Sequence, residues 1–174
     1  MEFEELKNQQ ARQDFNYRLP ALETVRQAMT TMIPMISNPH ISTNPPHLMV
    51  SWHNGDTIDL RLEQLSDGYR TLLALVMDLA RRLAQANPHL VKPLHSEAIV
   101  LIDEIDLHLH PGLQQTVLLD LQRTFPNTQF IVTTHSPQVL TTVQKENIRR
   151  LENKTVYSII KFSGYPNINY KDCI

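Results

Sequence analysis

Apolar and polar positions change their period several times along this chain, and each change marks an element. Leu19, Leu22, Val25 and Met29 recur at spacings of three and four, which predicts helix within residues 1–36. Pro34, Pro39, Pro45 and Pro46 then interrupt regular structure, so residues 34–47 read as an exposed connection. Residues 47–52 and 57–62 look like two short strands about the turn His53-Asn54-Gly55-Asp56. Beyond Leu65-Ser66-Asp67-Gly68-Tyr69-Arg70, the positions Leu72, Leu75, Val76, Leu79 and Leu83 form one face of a helix that Asn87-Pro88 stops.

Two short apolar runs follow, each ending in polar residues. The first, residues 98–102, ends in Asp103-Glu104, with Asp106 and Leu107-His108-Leu109-His110 beyond it. Pro111 suits the first turn of a helix whose inner face carries Leu113, Val117, Leu118 and Leu121. Phe125-Pro126-Asn127 turns the chain into a second strand, residues 129–132, which ends in Thr133-Thr134-His135. Ser136-Pro137 opens another helix with a cap and a first-turn proline. Two successive strand–helix units argue for an α/β fold with parallel strands, and such sheets place ligand chemistry just past the carboxyl ends of their strands. Residues 148–151 and 156–162 read as further strands before an uninformative tail.

Composition narrows the picture. At 174 residues and 41% apolar content the chain suits one domain with a real core. Sixteen basic against 18 acidic residues leave no global pull toward nucleic acid or membrane. A single cysteine, Cys173, excludes a disulfide framework within the chain. The acidic start MEFEELKNQQ is unlike a secretory signal, and no apolar run approaches the roughly 20 residues that span a bilayer. The expectation is a cytoplasmic chain with no membrane partner.

The chemistry lies at the strand ends. Paired acids after a buried strand suit Mg-nucleotide hydrolysis, with Asp103 serving Mg²⁺ through water and Glu104 orienting or deprotonating the attacking water. A histidine closing the neighbouring strand, His135, is able to hydrogen-bond a terminal phosphate. Upstream, Ser66 or Asp67 caps a helix, and that helix start is either only a good cap or an anion site favoured by free N–H groups and the helix dipole.

These motifs, in this order, resemble the ABC-type ATPases. Ile99-Val100-Leu101-Ile102-Asp103-Glu104 is similar to their Walker B strand and catalytic glutamate, and Leu65-Ser66-Asp67-Gly68-Tyr69-Arg70 to their signature motif, with Asp67 where many members have glycine. Residues 105–111 resemble the D-loop, and Thr133-Thr134-His135-Ser136-Pro137 the switch-histidine segment. The wording matches the SMC-like and RecF-like branch, within it the ATPases of Septu-type and retron-associated phage-defence systems. The resemblance covers residues 48–146. It implies ATP and Mg²⁺ as cofactors, Asp103 on the metal, Glu104 and His135 as catalytic residues, and Ser66 and Gly68 reaching the nucleotide of an opposite protomer. Asp106 is then placed at the dimer seam. The implied partners are a second copy in an ATP-sandwich dimer or higher oligomer, an HNH-type nuclease, and nucleic acid.

One departure is large. The family's phosphate loop, G-x-x-x-x-G-K-[ST], has no counterpart among Gly55, Gly68, Gly112 and Gly164. The expectation is therefore a partial P-loop NTPase fold without its N-terminal phosphate-loop lobe. Residues 1–47 form the helical end of an inserted arm with its Pro-rich connection, and residues 48–174 the C-terminal part of the ATPase domain. Hydrolysis is not expected from the chain alone, and the missing lobe is expected from the same or another polypeptide. Two rivals stay open: a docking subunit that contributes only Ser66 in trans, and an amidohydrolase-like enzyme whose His108 and His110 bind a catalytic metal.

Overall fold

The computed structural model describes residues 2–14, 17–43, 45–152 and 155–158. The N-terminal stripe resolves into two helices, α1 (Glu2–Arg12) and α2 (Pro20–Met32), with Pro20 at the first turn of α2 where its missing N–H costs nothing. Glu5 of α1, only 3% exposed, ties the two together. Its carboxylate accepts from the Leu19 amide at 2.7 Å and from Arg26 Nη1 at 3.2 Å, with Arg18 at 3.5 Å.

Residues 36–43, expected as irregular connection, form strand β1 (Ile36–Thr43). It pairs antiparallel with β2 (Pro46–Asn54), which pairs with β3 (Asp56–Arg61) in the order β1-β2-β3. The prolines misled because Pro39 lies on an edge strand at an irregularity. The register shifts between Ser37 and His40, and Asn38 takes a φ of 48° there. The buried Ile36 gives the strand its hold on the core. Gly55, at φ 83°, makes the tight β2–β3 link that only glycine enters freely.

Helix α3 (Asp67–Ala86) buries Leu72, Leu73, Val76, Leu79, Ala80 and Leu83 against α2, close to the face read from its periodicity. Beyond it β4 (Ala98–Ile102), α4 (Pro111–Thr124) and β5 (Thr128–Val132) form one strand–helix–strand unit, with β4 and β5 parallel and paired from Ala98↔Thr128 to Ile102↔Val132. Val117, Leu121 and Phe125 are fully buried on the inner side of α4. The helix expected after Ser136 is a single turn, α5 (Pro137–Leu140). Strands β6 (Arg149–Glu152) and β7 (Thr155–Ser158) pair antiparallel; residues 159–162 of the last expected strand, and Cys173, lie outside the described residues.

The parallel pair has two unlike faces. Ala98, Val100, Ile102, Phe130 and Val132 turn toward the core. On the opposite face Ile99 is 66% exposed, Leu101 75% and Ile131 51%. Parallel strands ordinarily carry cover on both faces, and their composition here, apolar at successive positions, is that of a strand with two covered faces. Among the described residues nothing covers this one, and no third strand pairs with either edge.

The packing predicts unequal costs on the two sides of α4. Leu121→Ala is expected to cost about 2–5 kcal/mol of unfolding free energy, whereas Leu119→Ala on the exposed side should change it by about 0.5 kcal/mol or less. Urea unfolding of the two variants checks this, and a larger loss at Leu119 would contradict the packing.

Candidate functional site: the strand ends and the loop between them

Asp103 and Glu104 follow β4, and Thr133, Thr134 and His135 follow β5, so strand pairing alone sets the two polar tips side by side. The ladder does not stop cleanly. Thr133 N donates to Ile102 O at 3.0 Å, as a regular parallel partner does, and the next regular bond would run from Glu104 N to Thr133 O. Instead Ile105 N takes that carbonyl at 3.0 Å. Glu104 is thus one extra residue in the ladder, and it adopts a left-handed φ of 51°. Its amide is not orphaned, because the Thr133 hydroxyl accepts it at 2.8 Å. The same hydroxyl donates to the Asp103 carboxylate. One threonine therefore satisfies the glutamate's backbone and orients the aspartate's side chain. Asp103, Glu104 and His135 are all solvent-exposed.

The adjacent threonine does a parallel job for the loop. Thr134 Oγ1 donates to Asp106 Oδ1, which also receives the His135 amide at 3.3 Å. Asp106, half-buried, so binds the segment carrying His135 in its own chain. The loop is tightened by Leu107 N to Glu104 O at 2.9 Å and Leu109 N to Asp106 O at 3.1 Å, and His108 within it also has a left-handed φ, 63°. Leu109 and Ile105 anchor it in the core.

Ser66 sits at the N-cap position of α3 with extended backbone, but its side chain makes no capping bond. Asp67, the first helical residue, pairs instead with Arg70. The helix start is held by packing. A methyl group on Gly68 would lie 3.2 Å from both His108 O and Leu113 Cδ1, and 3.6 Å from Leu109 Cα. Gly68 thus lets α3 rest against the backbone of the 105–110 loop. Tyr69 meets Trp52 edge-on with ring centroids 5.0 Å apart, and burial pushes its phenol pKa above the ordinary value. The structure therefore joins Asp103 and Glu104 through the Thr133 hydroxyl, holds His135 by its amide on the Asp106 carboxylate, and sets Gly68 against the same loop through van der Waals contact. Ser66 has no direct bond to them.

His110 caps α4, its Nδ1 accepting from Gly112 N at 3.3 Å. Among the described residues no three His, Cys, Asp or Glu side chains gather as a metal-ligand set. The amidohydrolase reading needed such a set inside a closed barrel, and the parallel sheet described here has two strands. A single carboxylate backed by a hydroxyl does fit Mg²⁺, which keeps waters and substrate phosphate oxygens as its remaining ligands. An apolar groove between α2, α3 and β2, lined by Leu22, Val25, Met29, Leu48 and Met77, lies apart from these residues. The site is an open surface.

In the sequence, Thr133 and Thr134 stand only as part of the segment carrying His135, with no role for either, and Gln114 is not singled out. The roles of the two threonines follow from the pairing Ile102↔Val132, which sets residue 133 opposite residue 103 and which only the structure supplies. Among the described residues no helix is long and apolar enough to cross a membrane.

Relatives agree with this architecture. The chain is 50% identical to the retron Ec83 probable ATPase of Escherichia coli over 132 residues, 76% of this chain and 24% of that protein. It is 44% identical to the retron Vc95 probable ATPase of Vibrio cholerae serotype O1 biovar El Tor over 146 residues, 84% of this chain and 28% of the relative. The Septu protein PtuA of Bacillus mycoides (strain KBAB4) is 44% identical over 77 residues, 44% of this chain and 10% of that protein. The chain thus spans about a quarter of the length of the two retron relatives. A solved structure from work on ATP-driven dimerization and DNA-stimulated activation of SMC ATPases has the same fold at TM-score 0.51 and 19% identity, over 79% of this chain and 81% of that one. Residues 3–141 match the family described as AAA domain, putative AbiEii toxin, Type IV TA system, and the chain belongs to that family.

Proposed function

We propose that this chain carries the hydrolytic side of an SMC-like ATP site, which becomes competent when a phosphate-loop lobe from the same or another polypeptide completes it. The observation that carries the reading is the extra residue at the end of β4. Glu104 is pushed out of the ladder, and its amide is held by the hydroxyl that orients Asp103. A strained residue at a strand end, over-determined by its neighbours, is a common feature of sites that must present one side chain in one place. The open apolar face formed by Ile99, Leu101 and Ile131 supports the need for a covering lobe.

In this reading Glu104 orients the attacking water and accepts its proton, and His135 donates a hydrogen bond to the terminal phosphate. Asp103 is the residue that holds Mg²⁺, which when bound neutralises charge on the phosphate oxygens. Ser66 and the backbone at Gly68 reach the nucleotide of a second copy across an ATP-sandwich interface, with Asp106 near its seam. An exposed strand-end surface is compatible with a site closed by a second protein surface rather than by a pocket of its own. Similarity to two retron probable ATPases and a Septu protein supports extending the proposal to an anti-phage defence complex of that type, which we place in the cytoplasm. There, ATP-controlled assembly on nucleic acid governs an associated nuclease of the HNH type.

In the complex assembled with its phosphate-loop lobe, Glu104→Gln is expected to lower ATP turnover by about 10²-fold or more, while ATP-dependent dimerisation persists or strengthens. Steady-state hydrolysis with light scattering reads both. Normal turnover in that variant would sink the assignment and favour a docking role. Thr133→Val keeps the shape of the side chain but removes both bonds of the hydroxyl, so turnover should fall, whereas Thr133→Ser should retain most of it. Equal rates for Val and Ser would show that the hydroxyl is idle. Leu101→Arg should block assembly with the lobe, measured by co-purification; undiminished capture would mean that the open face is not its seat.

A further inference from the structure

Gln114, on the first turns of α4, holds three groups with one amide. Its Nε2 donates to Leu109 O at 2.9 Å and Asp106 O at 3.2 Å, while its Oε1 accepts from Ser136 Oγ at 2.7 Å. The orientation of the amide is fixed by chemistry, since the two carbonyls can only accept. Ser136, 8% exposed, uses its remaining capacity to accept from Gln138 N at 3.1 Å, capping the turn that follows His135. Donors and acceptors match throughout.

We infer that Gln114 is a positioning residue that clamps the 105–110 loop to the 133–138 segment, so that the loop under Gly68 and the strand end carrying His135 move as one body. Three elements meet at it. The loop carbonyls come from the residues that bracket His108, and Leu109 is among the nearest neighbours of Gly68. The serine follows directly on His135, whose amide is bound to Asp106 in the same loop. A shift of α3 against the loop is thereby transmitted to the histidine, with the side chain of Gln114 bonded to both segments from α4. This inference rests on the proposed ATPase reading for its consequence, but not for its geometry.

Gln114→Glu tests it with almost no change of size, because a carboxylate oxygen then faces two carbonyl oxygens and the donor is gone. Hydrogen exchange on the full chain should quicken at the amides of Leu107, Leu109 and Gln138 and stay unchanged along β4, β5 and α3. In the complex assembled with its phosphate-loop lobe, kcat should fall at least about tenfold, with KM for ATP within about twofold of the parent value. Ser136→Ala should give the same signature from the other end, and the double variant should be no worse than either single change. Unchanged exchange in both variants would overturn the clamp, and so would a general rise in exchange across the chain, which marks a merely structural residue. A parent complex without ATP turnover would overturn the proposed function, and the exchange pattern would still decide the clamp.

Discussion

Two bonds that Thr133 accepts, one at its backbone carbonyl from the Ile105 amide and one at its hydroxyl from the Glu104 amide, determine most of what the two strand ends present. They force one residue more into the β4 side than a parallel ladder holds. The surplus residue turns left-handed, at a cost of about 1–3 kcal/mol for a non-glycine. That cost persists because both backbone groups of Glu104 are paired, its amide with the Thr133 hydroxyl and its carbonyl with the Leu107 amide, and because Ile105, immediately beyond, is anchored in the core. The same hydroxyl sets the carboxylate of Asp103. The neighbouring threonine repeats the logic one residue along, tying Asp106 to the strip that carries His135. Strand pairing, local strain and side-chain placement are therefore one arrangement at the end of two strands.

The second constraint is the unfinished sheet. Two parallel strands with an apolar outer face at Ile99, Leu101 and Ile131 make a poor free-standing unit, since parallel sheets depend on cover from both sides. The helical side is complete, with α2, α3 and α4 sharing one core that includes Met29, Val76 and Leu121. The opposite side is open among the described residues. The two retron relatives are about three times as long as this chain, and under the proposed function the cover is the phosphate-loop lobe.

Much of this was legible in the residues. The apolar runs at 98–102 and 129–132 read as short strands and are strands, though one face of the pair is exposed among the described residues. Pro111 and Ser136-Pro137 mark helix starts that the structure keeps, and the stripe from Leu72 to Leu83 is buried as its spacing requires. What could not be read depended on pairing. Pro39 argued against a strand until β2 supplied a partner and an edge on which proline is tolerated. Ser66 looked like a capping side chain, yet the helix start is held by the contact of Gly68 with the loop. Thr133, Thr134 and Gln114 are ordinary residue types, and their importance exists only once residues 103, 106, 109 and 136 are neighbours.

The central claim is that the trigger residues are here and the phosphate cradle is supplied by another lobe. ATP turnover measured for this 174-residue chain alone, for a phosphate-loop lobe alone, and for the two assembled tests it most directly. The account predicts no turnover from either part and Mg²⁺-dependent turnover from the assembly. Sustained hydrolysis by the chain alone, or an assembly that binds ATP without hydrolysing it, would contradict it.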